Sequence, residues 1–287
     1  MTKNLLNISG KISESIISIY AMIAEVARQN KVPFFIIGAS ARDIVFEHVY
    51  GIKAPRATRD IDLAIHIATW DDFTQLKNQL IETGYFSSTN MAQRLLYQND
   101  IPIDLVPFGA IEINGNINWP PDFSIKMSAI GFDEAYKTTM LIRFRDNPAL
   151  DIHVIMPAAL VILKLMAWKE RRHQNSKDAL DLVFLLTEYI NADNIERVSE
   201  EHHDLLLEDD FDYEICSARL MGRDIATIAS LTTKQAIDKL LAGETVEQAQ
   251  YNLVEAMQNR GDSSKFDRNL KLLDALKKGL NDKVQSL

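Results

Sequence analysis

From Lys11 to Asn30 the apolar residues Ile12, Ile16, Ile17, Ile19, Tyr20, Ile23, Ala24 and Ala27 recur at helical spacing, which predicts an opening amphipathic helix. Pro33-Phe34-Phe35-Ile36-Ile37 follows as a short apolar run stopped by Gly38, the pattern of a buried strand. Ser40 then reads as the N-cap of a second helix running through Ile44 to Tyr50 and ending at Gly51, with a polar loop over Lys53 to Thr58. Beyond it Ile61, Leu63, Ile65 and Ile67 alternate with Asp60, Asp62, Ala64 and His66, the period of two that marks a strand with one buried face. A helix is predicted over Trp70 to Glu82. Arg94 to Gln98 and Pro102 to Val106 read as a hairpin turning at Asn99-Asp100. Further strands are expected at Ser124 to Ile130, Thr139 to Phe144 and Ile152 to Ile155.

Pro157 suits the first position of a helix, and the pattern after it is helical to the end, with breaks expected near Asn175, in the segment around 191–215, and near Gly222, Leu231 to Thr233, Gly243 and Gly261. The chain therefore reads as α+β: a mixed-sheet domain over 1–156 and a helical C-terminal domain over 157–287.

Composition narrows the class. With 287 residues, 47% hydrophobic and 25% charged, the chain has enough apolar content for a real core, which excludes disordered and collagen-like classes. Eleven glycines and eight prolines are few for this length and agree with a largely helical second half. No apolar run reaches the roughly 18 residues of a bilayer span. No signal-peptide pattern is visible at the N-terminus, so a cytoplasmic protein without membrane contact is expected. The single cysteine, Cys216, excludes an intramolecular disulfide or a cysteine-based zinc site and reads as a buried thiol. The net charge of −9 argues against a broad nucleic-acid surface. Its distribution qualifies that: ten acidic residues crowd Asn191 to Ile215 against the single Arg197, while Lys164, Lys169, Arg171, Arg172 and Lys177 form a basic stretch containing one acid, Glu170.

Asp60 and Asp62 carry the clearest chemistry. Two apart on a strand, they share a face opposite Ile61, Leu63 and Ile65, and like charges so placed repel unless a cation joins them. Asp104, in Ile103-Asp104-Leu105, repeats the context and could stand beside them on a neighbouring strand. Three such carboxylates offer hard oxygen ligands suited to Mg²⁺ or Mn²⁺, and such ions serve phosphoryl transfer. The same pattern is compatible with solvated acids on an open sheet face. Upstream, Gly38-Ala39-Ser40 between strand and helix could present backbone N–H groups and a hydroxyl to a phosphate, or simply turn the chain and cap a helix.

This order of strand, Gly38 and Ser40, helix, Asp60-Ile61-Asp62 and a later Asp104 resembles the nucleotidyltransferase superfamily of the DNA polymerase beta type, with Ala39 where many members have a second glycine. Gly38-Ala39-Ser40-Ala41-Arg42-Asp43 followed by Arg59-Asp60-Ile61-Asp62-Leu63 also looks like the opening of CCA-adding tRNA nucleotidyltransferases, without their base-selecting motifs. Lys164-Leu165-Met166-Ala167-Trp168-Lys169-Glu170-Arg171 and Lys177-Asp178-Ala179-Leu180-Asp181-Leu182 are similar to the C-terminal signature of the AbiEii/AbiGii toxin family. The resemblance covers roughly residues 30 to 190.

It implies a nucleotidyltransferase-type sheet flanked by helices and a metal-dependent transfer of a nucleoside monophosphate from an NTP to a hydroxyl acceptor. Asp60, Asp62 and Asp104 would hold Mg²⁺ or Mn²⁺, Asp104 acting alternatively as general base. Gly38 and Ser40 would meet phosphate, and Lys164 would counter triphosphate charge. Asp178 and Asp181, three apart on one helix face, would complete the site, orienting Lys164 or Arg42. It further implies a toxin of a toxin–antitoxin or phage-defence system, tRNA as acceptor through Lys169, Arg171 and Arg172, and a cognate antitoxin as partner. Transfer to a small aminoglycoside-type acceptor and an inactive binding module of the same fold are the alternatives. Lys164 could also snorkel to water, and Asp178 could serve a helix N-terminus. His202-His203 and the acidic run read as a solvated face, His66 as a satisfied strand histidine, and Trp168 and Tyr97 as core or groove aromatics.

Overall fold

A computed structural model describes residues 5–56, 58–174, 176–207, 211–245, 250–258 and 263–282. The chain divides into two compact units, Met1–Met156 and Pro157–Leu287.

The first unit is built on an eight-stranded mixed sheet. Its strands are β1 (Leu6–Asn7), β2 (Phe34–Ile37), β3 (Ile61–Ile67), β4 (Phe86–Ser88), β5 (Arg94–Tyr97), β6 (Ile101–Gly109), β9 (Met140–Arg145) and β10 (Leu150–Val154), while β7 (Asn116–Trp119) and β8 (Ile125–Ser128) form a separate hairpin. The order across the sheet is β1-β9-β10-β2-β3-β6-β5-β4. The central β3 runs antiparallel to β2 and parallel to β6. The alternation along β3 is realised as expected: Ile61, Leu63, Ile65 and Ile67 are buried, while Asp62 and His66 on the other face are half-buried.

Four helices accompany the sheet: α1 (Glu14–Gln29), α2 (Gly38–Asp43), α3 (Trp70–Glu82) and α4 (Phe132–Lys137). Helix α3 starts where Thr69 and Asp72 close a reciprocal capping box, satisfying backbone donors at its first turn. The second predicted helix differs from its expectation. It begins at Gly38, with Ile37 as N-cap, and gives way to a π-helical turn over Ile44–Val49. Ser40 is thus inside the first turn, where its hydroxyl donates to the Ile37 carbonyl at 3.1 Å. The short strands β1, β4 and β7 and the helix α4 were not expected, being too brief to show periodicity.

The second unit is helical, with α5 (Pro157–Arg171), α6 (Lys177–Glu188), α7 (Ile195–Glu201), α8 (Tyr213–Ile228), α9 (Leu231–Thr245), α10 (Asn252–Ala256) and α11 (Phe266–Asn281). The expected breaks at Gly222 and Gly243 do not occur, since α8 and α9 run through them. Gly222 instead lets α8 approach α11: a Cβ there would collide with the Leu276 carbonyl, and one on Gly279 with the Arg219 carbonyl. Omitting the side chain brings two backbones together, which outweighs the helix-propensity cost of glycine. Between α8 and α9 the chain is non-helical at Ala229 and Ser230, just ahead of the expected position. The breaks expected at Asn175 and Gly261 lie outside the described residues.

The acidic segment is not a uniformly solvated face. Asp212 caps α8 by accepting from the Glu214 and Ile215 amides, Asp204 pairs with Arg223, and Glu214 pairs with Arg268. His202 is buried, with its Nδ1 3.2 Å from the Arg223 guanidinium. Burial and then the Arg223 charge lower its pKa, so it is a neutral packing residue. Glu208, Asp209 and Asp210 lie outside the described residues. Cys216 is a buried thiol outside any disulfide, and Trp168 and Tyr97 are core aromatics.

Candidate functional site

In the first unit, three neighbouring strands lay charged side chains in one row. Parallel pairing of β3 with β6 sets Asp62 opposite Asp104, and antiparallel pairing of β6 with β5 sets Asp104 opposite Arg94. Directly opposed residues in adjacent strands share a face, so the row reads Asp62, Asp104, Arg94 across the sheet. Asp60 precedes Asp62 by two, at the entrance to β3.

Arg94 grips Asp104 with its fork: Nε and Nη2 donate to the two carboxylate oxygens at 2.7 and 2.6 Å. Its Nη2 also lies 3.9 Å from Asp60 Oδ2. The hydrogen bonds to Asp104, followed by the charges of Asp104, Asp60 and Asp62, push the Arg94 pKa up. Arg94 is the residue that the sequence reading missed.

Gly38 sits at the end of β2 beside this row. Its φ of +70° favours glycine, and a Cβ built on it would fall inside the Asp62 carboxylate. The glycine thus makes room for Asp62 more directly than for a ligand. Ser40 is buried, its hydroxyl committed to Ile37 and hydrogen-bonded with the buried Tyr20. Arg42, fully buried, bonds Asp43 through Nε and Nη2 at 2.8 and 2.5 Å and the Arg56 carbonyl at 2.9 Å. It ties α2 to the loop leading into Asp60. A cleft of about 230 Å³ borders this region, with Lys11, Tyr20, Ser40, His48, Arg59 and Asp60 among its lining residues.

Whether a divalent cation suits the row is a question of donors. Asp60, Asp62 and Asp104 offer hard oxygens on one face, which fits Mg²⁺ or Mn²⁺ in kind. Both Asp104 oxygens, however, already accept from Arg94, and among the described residues no group of three or more His, Cys, Asp or Glu side chains has the arrangement of a metal site.

Lys164, Asp178 and Asp181 come together within the second unit. The Lys164 ammonium lies 3.0 Å from Asp178 Oδ1 and 2.7 Å from Asp181 Oδ2, all three side chains being buried. Arg171 closes the cluster with bidentate bonds of 2.6 and 2.9 Å to Asp178. Burial works to raise the Asp178 pKa, but Arg171 and Lys164 outweigh it and hold the carboxyl below its ordinary value. Lys164 therefore does not snorkel. Of the basic stretch, Arg171 is engaged with Asp178, whereas Lys169 and Arg172 are exposed, Arg172 lying 5.7 Å over the Trp168 ring. Among the described residues no helix is long and apolar enough to cross a membrane.

The first unit thus carries paired aspartates on adjacent parallel strands of a mixed sheet, and the second unit is helical. The model of the AbiEii family, described as nucleotidyl transferase AbiEii toxin of a type IV toxin–antitoxin system, matches residues 48–270, and the chain belongs to that family. It is a nucleotidyltransferase enzyme. The match takes in Asp60, Asp62, Asp104, Lys164, Asp178 and Asp181 and begins after Gly38, Ser40 and Arg42.

Among solved structures, the antibiotic-resistance factor ANT(2'')-Ia is 13% identical, with 67% of this chain and 98% of that chain covered and a TM-score of 0.38. The CCA-adding enzyme in complex with ATP is 12% identical, with 94% and 69% covered and a TM-score of 0.32. The Thermotoga maritima CCA-adding enzyme complexed with tRNA is 10% identical, with 95% and 69% covered and a TM-score of 0.33. No curated protein matches the chain.

Proposed function

We propose that the enzyme transfers a nucleoside monophosphate from an NTP to a hydroxyl of RNA, most simply tRNA, and that the first unit, residues 1–156, is the catalytic domain. The observation that carries this reading is the side-by-side placement of Asp62 and Asp104, with Asp60 two residues away, on one face of the sheet. Three carboxylates so grouped destabilise one another unless positive charge joins them. Asp60 and Asp62, with Asp104, are the groups that would hold Mg²⁺ or Mn²⁺, which when bound would neutralise phosphate charge and acidify the attacking hydroxyl.

The attacking oxygen forms a bond to the α-phosphorus while the bond from that phosphorus to the oxygen bridging the β-phosphate breaks, releasing pyrophosphate. The hydroxyl proton passes to a carboxylate, which we assign to Asp104. Gly38 fixes where the Asp62 carboxylate lies, and the Gly38-Ala39-Ser40 turn is the segment a triphosphate would meet. Arg42 holds the loop before Asp60. Within the second unit, Asp178 and Asp181 hold the Lys164 ammonium.

Exposed Lys169 and Arg172 favour RNA as acceptor, because surface cations suit a phosphate backbone. Membership of a family described as the toxin of a toxin–antitoxin system favours a cognate antitoxin as partner. The test is incubation with each α-³²P-labelled NTP, Mg²⁺ and total tRNA, comparing wild type with Asp62→Asn. Label on tRNA that the variant fails to add is the expected result. Transfer to a small molecule alone would overturn the RNA acceptor, and transfer undiminished in Asp62→Asn would overturn the site.

A further inference from the structure

We infer that Arg94 is a built-in counter-cation that competes with the divalent ion for Asp104, so that Asp104 exchanges a guanidinium for the ion when the site is loaded. This rests on the reading of Asp60, Asp62 and Asp104 as the metal carboxylates.

A carboxylate offers two oxygens, and both of those on Asp104 accept from Arg94, at 2.7 and 2.6 Å. That fork-to-fork geometry satisfies the carboxylate more fully than a lysine could. The same guanidinium stands 3.9 Å from Asp60 and is the cation that completes the row begun by Asp62 and Asp104. A cross-strand ion pair serving only to join β5 to β6 could use any register position. Here it uses the one acid that faces Asp62. The Arg94 charge beside Asp104 and Asp60 relieves repulsion among the carboxylates while no ion is bound, and opposes the arrival of a doubly charged ion by the same Coulombic logic. The Arg94 side chain is 28% exposed and that of Asp104 15%, so the pair is accessible enough to part and dry enough for the competition to matter.

The probe is Mn²⁺ alone, titrated into the nucleotide-free full chain and read by the electron paramagnetic resonance signal of the free ion. Arg94→Gln removes the competing charge and is expected to bind Mn²⁺ about tenfold more tightly than wild type, and Arg94→Lys, which keeps charge but loses the fork, tighter by a few-fold. A merely structural role would not tighten binding. Asp62→Asn is the reference, expected to weaken Mn²⁺ binding strongly. If Asp62→Asn leaves Mn²⁺ affinity unchanged, the carboxylate reading fails and this inference with it. If Asp62→Asn weakens binding while both Arg94 variants match or fall below wild type, the role of Arg94 alone is overturned. Should Arg94→Gln not fold, Arg94→Lys decides: tighter binding supports the exchange, and equal or weaker binding overturns it.

Discussion

Around Asp104, the Arg94 guanidinium meets Asp104 and Asp60 on the half-buried face of a sheet that also carries Asp62. Around Asp178, two carboxylates are held by an ammonium and a guanidinium, with the acids themselves buried. The Arg94–Asp104 pair of the first cluster is 28% and 15% exposed, whereas the acids of the second are almost wholly out of water. Burial explains the contrast: an uncompensated charge removed from water is too costly to keep, so the buried cluster has to close on itself. The sheet face is wet enough to keep its carboxylates without such closure, and that openness suits it to take up a cation. Two sets of aspartates that look alike along the chain thus differ in what they are poised to do.

The largest effect that separates them is on Asp62. Asp62→Asn removes one of three mutually repelling charges, so the thermal midpoint should hold or rise slightly. The rate of transfer should fall on the order of 10²–10³-fold, several kcal/mol of lost transition-state stabilisation. Calorimetry beside the labelled-NTP assay checks both halves. A variant that loses stability as well would mean that the row is a structural ion network after all.

Lys164→Met should do the reverse in stability. It leaves Asp178 and Asp181 buried with one cation fewer, at a cost of roughly 3–5 kcal/mol. Denaturant unfolding should therefore show a clear loss, whatever happens to transfer. Replacing Lys164, Asp178 and Asp181 together by apolar residues of similar size should recover much of that loss. Should the single variant prove as stable as wild type, the view of this cluster as self-compensating is wrong.

The sequence shows one of these clusters better than the other. Asp60 and Asp62 are legible because a period of two on a strand puts them on one face, and Asp104 because its neighbours Ile103 and Leu105 repeat the context. Arg94 was hidden by register. Turning the hairpin at Asn99-Asp100 would pair Gln98 with Ile101 and set Arg94 against Leu105. The structure instead pairs Tyr97 with Ile101 around the residues 98–100, with Gln98 and Asn99 at positive φ, and this slip of one residue delivers Arg94 to Asp104. Arg171 was hidden differently, because its bond to Asp178 joins two helices and no periodicity within either announces it. Gly222 misled because glycine in a helix reads as a break, whereas close packing of two helices is an equally good reason for it, while Gly243 faces open space and α9 simply runs through it.

Gly38→Ala tests the link between backbone and site at an intermediate scale. The positive φ alone costs an alanine about 1–2 kcal/mol, and the new methyl would displace the Asp62 carboxylate. Stability should fall by about that amount while transfer falls by more than the stability loss explains. Ser40→Ala, which removes a hydroxyl already committed to the Ile37 carbonyl, should cost about 1 kcal/mol. If Gly38→Ala transfers at the wild-type rate, Asp62 does not need its observed position.

The smallest effect is on the pH dependence of stability, and it again has opposite signs in the two units. The Asp178 pKa lies below its ordinary value because Arg171 and Lys164 outweigh burial. Its contribution to stability is thus present above the unfolded value near 3.9 and is lost as pH falls through the lower folded value. Asp43 beside Arg42 is the converse: burial, only partly offset by Arg42, raises its pKa. Its contribution is present below the unfolded value and is lost as pH rises through the higher folded one. Unfolding free energies of wild type and Asp178→Asn, measured at intervals from pH 7 downward, should stay apart until the pH falls below about 4 and then converge. For wild type against Asp43→Asn the difference should instead change in the interval just above pH 4. Differences that remain constant across the acid range in both variants would show that neither carboxyl is shifted by folding, and the contrast between the two units would then reduce to geometry alone.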